Sequence, residues 1–223
     1  MSARPVINLE QARFNMIEQQ IRPWQVLDRH VLQLLALVQR EQFVPAAHKA
    51  LAFADLEIPL PCGQCMLAPK VEARLLQDLA LQKSEKVLEI GAGSGYMAAL
   101  LARRAQSVLS LDIHEDLVRM ARANLERAGI HNAQVRQADA SQGAASDGPF
   151  DVIVLSGSVA RLPQQLLDQL RIGGRLCAIV GDEPVMRATL VRRRSETGFD
   201  TTQPWDTVAP RLLNFPEPAR FHF

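Results

Sequence analysis

The 223-residue chain lacks the features that would place it in a special environment. Its charge is almost balanced, 25 Lys and Arg against 24 Asp and Glu for a net +1. It therefore offers no broad electrostatic attraction to nucleic acid or an anionic membrane, and neither is expected as a partner. The run Arg192-Arg193-Arg194 is its one dense basic patch and reads as the solvated end of a strand. Three cysteines are an odd number and argue against a disulfide framework, so a reducing, cytoplasmic compartment is expected. The longest apolar stretch, residues 31–38, is too short to span a bilayer and is broken by Gln33. Residues 1–10 hold no apolar segment of signal-peptide length. Cys62 and Cys65 form a C-x-x-C in a proline-rich loop, with no second pair and no clustered histidines, so no metal is expected. Apolar residues make up 48% and charged residues 22%, the balance of a globular protein long enough to bury a real core.

What is present is sharpest at Val87-Leu88-Glu89-Ile90-Gly91-Ala92-Gly93-Ser94-Gly95-Tyr96. A β-prone run ends in an acid, then in glycines, and a helical stretch over 97–104 follows. Strand, glycine turn and helix make a nucleotide cradle: glycine lets the backbone approach a ligand closely. The spacing bears on which nucleotide. A dinucleotide fingerprint wants glycine at the first, third and sixth places, and here Tyr96 stands sixth. A cofactor without a pyrophosphate, such as S-adenosylmethionine, fits better. A nicotinamide oxidoreductase is disfavoured on the same ground.

The remaining pattern supplies the frame. Residues 9–52 read as helical, with Phe14, Ile17 and Ile21, then Val31, Leu34, Leu35 and Val38, at helical spacing. Pro23 separates two helices and Asp28 can cap the second. Residues 55–69 hold four prolines and glycines at 59, 61, 63 and 69 and read as an ordered loop. A helix to about Leu81 then opens at Pro69. Strands are expected over 87–90, 108–111, 133–136, 151–155, 175–180, 185–193 and 205–213, with helices over 114–128, ended by Gly129, and 164–170. Such alternation implies an α/β, Rossmann-like, mostly parallel sheet with helices on both faces and an N-terminal helical extension. A single domain is expected, with residues 1–83 as helices and acceptor loop and 84–223 as cofactor-binding core.

Acids end three successive strands. Glu89 precedes the glycine turn. Asp112 ends the next strand, where a carboxylate accepts ribose hydroxyls, and Ile113 beside it can lie on an adenine face; equally, Asp112 can cap the helix near His114. Asp139 follows the third strand, placed to accept the adenine amine or to serve as a turn aspartate. In a parallel sheet these ends converge on one crevice.

Met16-Ile17-Glu18-Gln19-Gln20-Ile21-Arg22, Arg40-Glu41-Gln42-Phe43-Val44-Pro45, the 52–69 loop, the 87–96 turn, Pro149-Phe150-Asp151-Val152-Ile153-Val154 and Gly173-Gly174-Arg175-Leu176 together resemble the protein-L-isoaspartate O-methyltransferase family. The resemblance runs over nearly the whole chain. It implies a seven-stranded methyltransferase sheet and a site for S-adenosyl-L-methionine, with S-adenosyl-L-homocysteine as product. Glu89, Gly91, Gly93, Gly95, Asp112, Ile113, Asp139 and Ala140 are its expected cofactor residues. It also implies repair of isoaspartyl residues in peptides and proteins.

The acceptor side departs from the family. Its loop usually reads G-Q-T-I-S-Q-P, and the serine carries the catalytic label; this chain reads Gly63-Gln64-Cys65-Met66-Leu67-Ala68-Pro69, with Leu67 at the serine position. Where the family shows V-T-A-A, this chain shows Leu155-Ser156-Gly157-Ser158. Ser156 and Ser158 are thus candidates for the missing donor, and Arg211 for a neutralising cation. An isoaspartyl carboxylate, with a pKa near ~4, is ionised at neutral pH and needs no base, so the loss bears on orientation. Another carboxylate acceptor, or cofactor binding without turnover, stands as the alternative.

Overall fold

A computed structural model describes residues 8–217. Helix α1, Leu9–Met16, runs on as a π turn, Ile17–Ile21, and a 3-10 turn, Arg22–Trp24, where Pro23 ends it. Phe14 does not join the core as its spacing suggests; it is 58% exposed. The buried stripe starts instead from Arg13, Met16 and Ile17, because the Arg13 guanidinium is paired with Glu41 and can be covered. Helix α2, Arg29–Leu37, is capped as expected: the Asp28 carboxylate accepts the His30 N–H at 2.7 Å.

The proline-rich loop contains a small antiparallel hairpin, β1 Ile58–Pro59 against β2 Cys65–Met66, and ends at α3, Pro69–Leu79. From there strands and helices alternate: β3 Lys86–Ile90, α4 Tyr96–Ala102, β4 Ser107–Asp112, α5 Glu115–Arg127, β5 Ala133–Gln137, β6 Phe150–Val159, α6 Gln164–Asp168, β7 Leu170–Asp182, β8 Val185–Arg193 and β9 Phe199–Thr207. Their seven-stranded sheet runs β5-β4-β3-β6-β7-β8-β9. The pairings from β5 to β7 are parallel; those of β8 and β9 are antiparallel.

Side-chain alternation divides the core in two. Val87 packs on one face among residues of α1 to α5, and Leu88 and Ile90 pack on the other with Leu166 and Leu167 of α6 and Phe215 of the tail. The helices are therefore shared unevenly between the faces. The chain moves from β3 outward to β4 and β5, then returns to the opposite side of β3 with β6. This reversal opens a crevice at the strands' carboxyl ends.

The last strand is a correction: it spans Phe199–Thr207 and not 205–213. Asp200, Thr201, Thr202 and Gln203 are exposed on the sheet edge and carry no apolar signal, while Pro204 is tolerated because an edge strand has a free side. Residues 208–213 instead cross the end of β6, where the Ser158 N–H donates to Pro210 O at 2.7 Å and the Leu212 N–H to Ser158 O at 2.9 Å.

Arg175 ties the seven-stranded sheet to α3. From a 6% exposed position its guanidinium donates to both Glu85 oxygens, at 2.7 and 2.9 Å, and to the carbonyls of Leu79 and Ala80 at the helix end. Removing it leaves a half-buried acid and two helix-end carbonyls without their donor. We expect Arg175→Ala to lower unfolding free energy by about 3 kcal/mol, read as the urea midpoint, and Arg175→Lys to recover less than half because the planar fork is lost.

Candidate functional site

The glycine turn is a backbone device. Gly91, Gly93 and Gly95 have φ of +93°, +51° and +82°, a region costly to any residue with a Cβ. At Gly95 space is short as well: a Cβ would stand 3.1 Å from the Ala121 backbone of α5. The turn is sewn to the neighbouring strand, since the N–H groups of Gly91 and Ala92 both donate to Leu111 O, at 2.8 and 3.1 Å.

Asp112 completes this closure. One carboxylate oxygen accepts the Gly93 N–H at 2.9 Å and the other the His114 N–H at 3.0 Å. The capping role and a ligand role are compatible, because each oxygen has a second lone pair. Asp139 accepts the Ser141 N–H at 3.0 Å and the Asn214 side-chain amide at 2.7 Å, and these bonds hold its carboxyl below the usual range.

A cleft of about 400 Å³, including its open mouth, brings Gly91, Asp112, Ile113, Asp139 and Ala140 together. Ile90, Leu111 and the tail residues Leu212, Leu213 and Phe215 supply its apolar walls. Gly93, Gly95 and Glu89 do not line it. Glu89 and Gly93 line a second, narrower pocket of about 260 Å³ that shares Gly91 with the first and extends to Leu67, Glu72, Tyr96 and Ser156. Gly95 lines neither; it sets the approach of α4 to α5.

Glu89 is fully buried, and its oxygens accept the hydroxyls of Ser110 at 2.6 Å and Ser156 at 2.9 Å. Burial pushes its carboxyl up to about 8 against the pull of both hydroxyls. Ser156, a candidate for the missing donor, lines the second pocket with its hydroxyl engaged by Glu89. Ser158 is a correction: it is fully buried, donates to Ala209 O at 2.7 Å, and lines neither pocket. Its register at the end of β6 aims it at the tail. Arg211 is also tied elsewhere, to Gly181 O at 2.9 Å, Asp182 at 2.5 Å and Glu217 at 2.9 Å.

The sequence reading missed Glu72 and the role of Arg40. Arg40 is wholly buried; it pairs with Glu72, donates to Leu67 O at 2.7 Å, and sits 5.0 Å from the Tyr96 ring centre. Burial pushes the Glu72 carboxyl up to about 7 against the pull of Arg40. A signal existed: Glu72 falls on the apolar stripe of α3 with Leu75, Leu76 and Leu79. The C-x-x-C thiols are free, and burial and Glu57 push the Cys65 thiol up to about 12, far from a nucleophile. Among the described residues no group of His, Cys, Asp and Glu has metal-site clustering, and no helix is long and apolar enough to cross a membrane.

With this geometry in place, comparison with known proteins adds the following. A family model described as protein-L-isoaspartate(D-aspartate) O-methyltransferase matches residues 11–207. The chain is 37% identical over 198 residues to a protein-L-isoaspartate O-methyltransferase of Koribacter versatilis, covering 87% of this chain and 88% of that one. It is 39% identical over 191 residues to protein-L-isoaspartate O-methyltransferase 1 of Syntrophobacter fumaroxidans, covering 86% and 89%. A Plasmodium falciparum crystal structure described under the same activity, in complex with S-adenosyl-L-homocysteine, superposes with a TM-score of 0.77 at 19% identity, over 89% of this chain and 96% of that one. At that identity the superposition speaks for the fold.

Glu89 offers a test that needs no ligand. Its ordinary value is 4.5, so between about pH 4.5 and pH 8 the folded protein keeps a proton that the unfolded chain releases. Wild-type stability therefore drains as pH rises through that window. Glu89→Gln cannot lose a proton, and its melting temperature should gain on the wild type from pH 5 to pH 9. A constant difference would show that Glu89 is ionised throughout.

Proposed function

The chain belongs to the protein-L-isoaspartate O-methyltransferase family, and we propose that its two joined pockets transfer a methyl group from S-adenosyl-L-methionine to the free carboxylate of an isoaspartyl residue. It is an S-adenosylmethionine-dependent carboxyl methyltransferase whose substrates are peptides and proteins carrying that damage. Its family membership does not favour the alternatives of a different acceptor or of binding without turnover.

The observation that carries the site assignment is the sharing of Gly91 by the two pockets. The larger cleft has apolar walls at Ile113 and Leu111 and acids at its rim, which suits an adenosine. Asp112, with lone pairs to spare, would hold the ribose hydroxyls and Asp139 the adenine amine, with Ile113 and Ala140 as the neighbouring apolar residues of the cleft. Gly91 and Gly93 face the pockets without side chains of their own, and the buried Glu89 lines the second. The methyl donor supplies an electrophilic carbon on a positively charged sulfur.

The chain's own contribution is positioning. An acceptor carboxylate is already ionised, so no proton has to be removed before it attacks. Met66 and Leu67 wall the second pocket with buried apolar surface and keep bulk water from the reacting oxygen. Holding that oxygen in line with the carbon to be transferred converts a bimolecular encounter into an intramolecular one.

The test is the release of base-labile methyl ester from an isoaspartyl peptide against its aspartyl twin. The isoaspartyl peptide should be strongly preferred; equal turnover on both, or none on either, refutes the assignment. Asp112→Asn should weaken S-adenosylmethionine binding about 10- to 100-fold by calorimetry, the size of one lost charge-assisted hydrogen bond.

A further inference from the structure

An acceptor carboxylate entering the second pocket meets the hydroxyls of Ser94 and of Tyr96, the latter buried and without a partner among the described residues, but no side chain there that also answers its charge. Leu67 offers no hydroxyl. The Ser156 hydroxyl is given to Glu89. Arg40, the nearest cation, stands behind Glu72: its Nη1 holds Glu72 Oε2 and its Nη2 holds Leu67 O. Glu72 lines the pocket and Arg40 does not. Glu72 Oε1 has no hydrogen-bond partner among the described residues. Glu72 is therefore the side chain that joins a buried cation to the acceptor's space.

Charge sets the next step. Arg40 and Glu72 together are neutral. A second carboxylate at Oε1 would set two like charges in contact in a buried place, which is costly even with the methyl donor's sulfonium nearby. One proton taken up by Glu72 removes that repulsion. It also turns Oε1 from an acceptor into a donor, while Oε2 stays on Arg40.

We propose that Glu72 is the acceptor-binding residue of this protein: it takes up one proton as the isoaspartyl carboxylate enters and donates a hydrogen bond through it to one acceptor oxygen, filling the place of the hydroxyl that Leu67 lacks. The inference rests on the isoaspartyl reading above. The second acceptor oxygen keeps its lone pair for the methyl carbon. The proton stays on Glu72 during transfer and returns to solvent when the ester leaves.

The groups facing Glu72 are Arg40 from the turn at 40–42, Cys65 from β2, Glu89 from β3 and Tyr96 from α4. Burial raises the Cys65 thiol to about 12 and the Tyr96 hydroxyl upward as well, so both are neutral across the working range. Glu89 is the one competitor for the proton, and its value near 8 lies close enough to require a control.

The experiment uses the full protein saturated with S-adenosyl-L-homocysteine, so that titration linked to the cofactor is already complete. An N-acetylated isoaspartyl peptide is titrated in calorimetrically at pH 8, in buffers of different ionisation enthalpy. The wild type should take up about one proton per peptide bound, since Glu72 near 7 is mostly ionised beforehand. Glu72→Gln, whose amide donates without titrating, should take up none and bind within a few-fold of wild type. Glu72→Leu should bind about 10- to 100-fold more weakly. Glu89→Gln should keep the uptake. In turnover, kcat/KM should fall as pH rises above about 7 in the wild type and stay level in Glu72→Gln. No uptake by the wild type, or the same uptake by Glu72→Gln, overturns the proposal. Circular dichroism and a cooperative thermal melt report whether each variant is folded; should the Glu72 variants fail to fold, the proton counts of wild type and Glu89→Gln decide. Equal binding of the aspartyl twin would defeat the isoaspartyl reading instead, and is scored separately.

Discussion

The guanidinium of Arg40 is the point on which the reactive end of this protein turns. It comes from the N-terminal extension, yet it grips the first turn of α3 through Glu72, the loop before that helix through Leu67 O, and lies against the Tyr96 ring at the start of α4. A lysine there would supply charge without the fork that reaches a carboxylate and a carbonyl together. Burying such a pair in place of apolar side chains carries a desolvation cost that the pairing offsets only when its geometry is good. What it secures is position: the loop that walls the second pocket is fixed relative to the start of α4.

That arrangement explains why the helical extension belongs with the sheet and not beside it. Met16, Ile17, Ile21, Leu34, Leu35 and Phe43 share one apolar cluster with Leu75, Leu79, Leu100 and Val154. The Phe43 ring meets Tyr96 edge to face at 5.4 Å between centres. Packing of this kind transmits the placement of residues 40–43 to the glycine turn through rigid contacts. Arg175 does the same from below, holding the far end of α3 to β7.

Much of the frame was legible in the amino-acid pattern, because the signals were local. The Asp28 cap, Pro69 at a helix start, the positive-φ glycines and the apolar β3 and β6 strands each depend on neighbours a few residues away. The misreadings came where distant partners changed the meaning of a residue. Phe14 points to solvent because Arg13 found Glu41. The polar edge strand β9 is held by hydrogen bonds to β8 and has no apolar rhythm to read. Ser158 looked like a donor, and its register on β6 turns it onto the tail. Glu72 carried a readable sign, an acid on an apolar stripe, and its meaning needed Arg40, 32 positions away.

The two halves of the site differ in kind, and this governs how each can vary. The cofactor half is held largely by main chain: glycine φ values, N–H groups given to Leu111 O, and Asp112 closing the turn. A Cβ at Gly95 would crowd the α5 backbone at 3.1 Å on top of its positive φ, and no change of a neighbouring side chain relieves a contact with backbone. The acceptor half is made of side chains, where one donor can be removed and another group set in the same space. Leu67 without a hydroxyl and Glu72 with a free oxygen belong to one pocket and to one buried ion-pair network. The loss of a serine therefore has to be judged with the carboxyl five residues further on. Under the proposal above, an apolar residue at one position and a protonatable one at the other make a coherent pair, in which orientation comes from a carboxyl whose proton is linked to the acceptor's own charge.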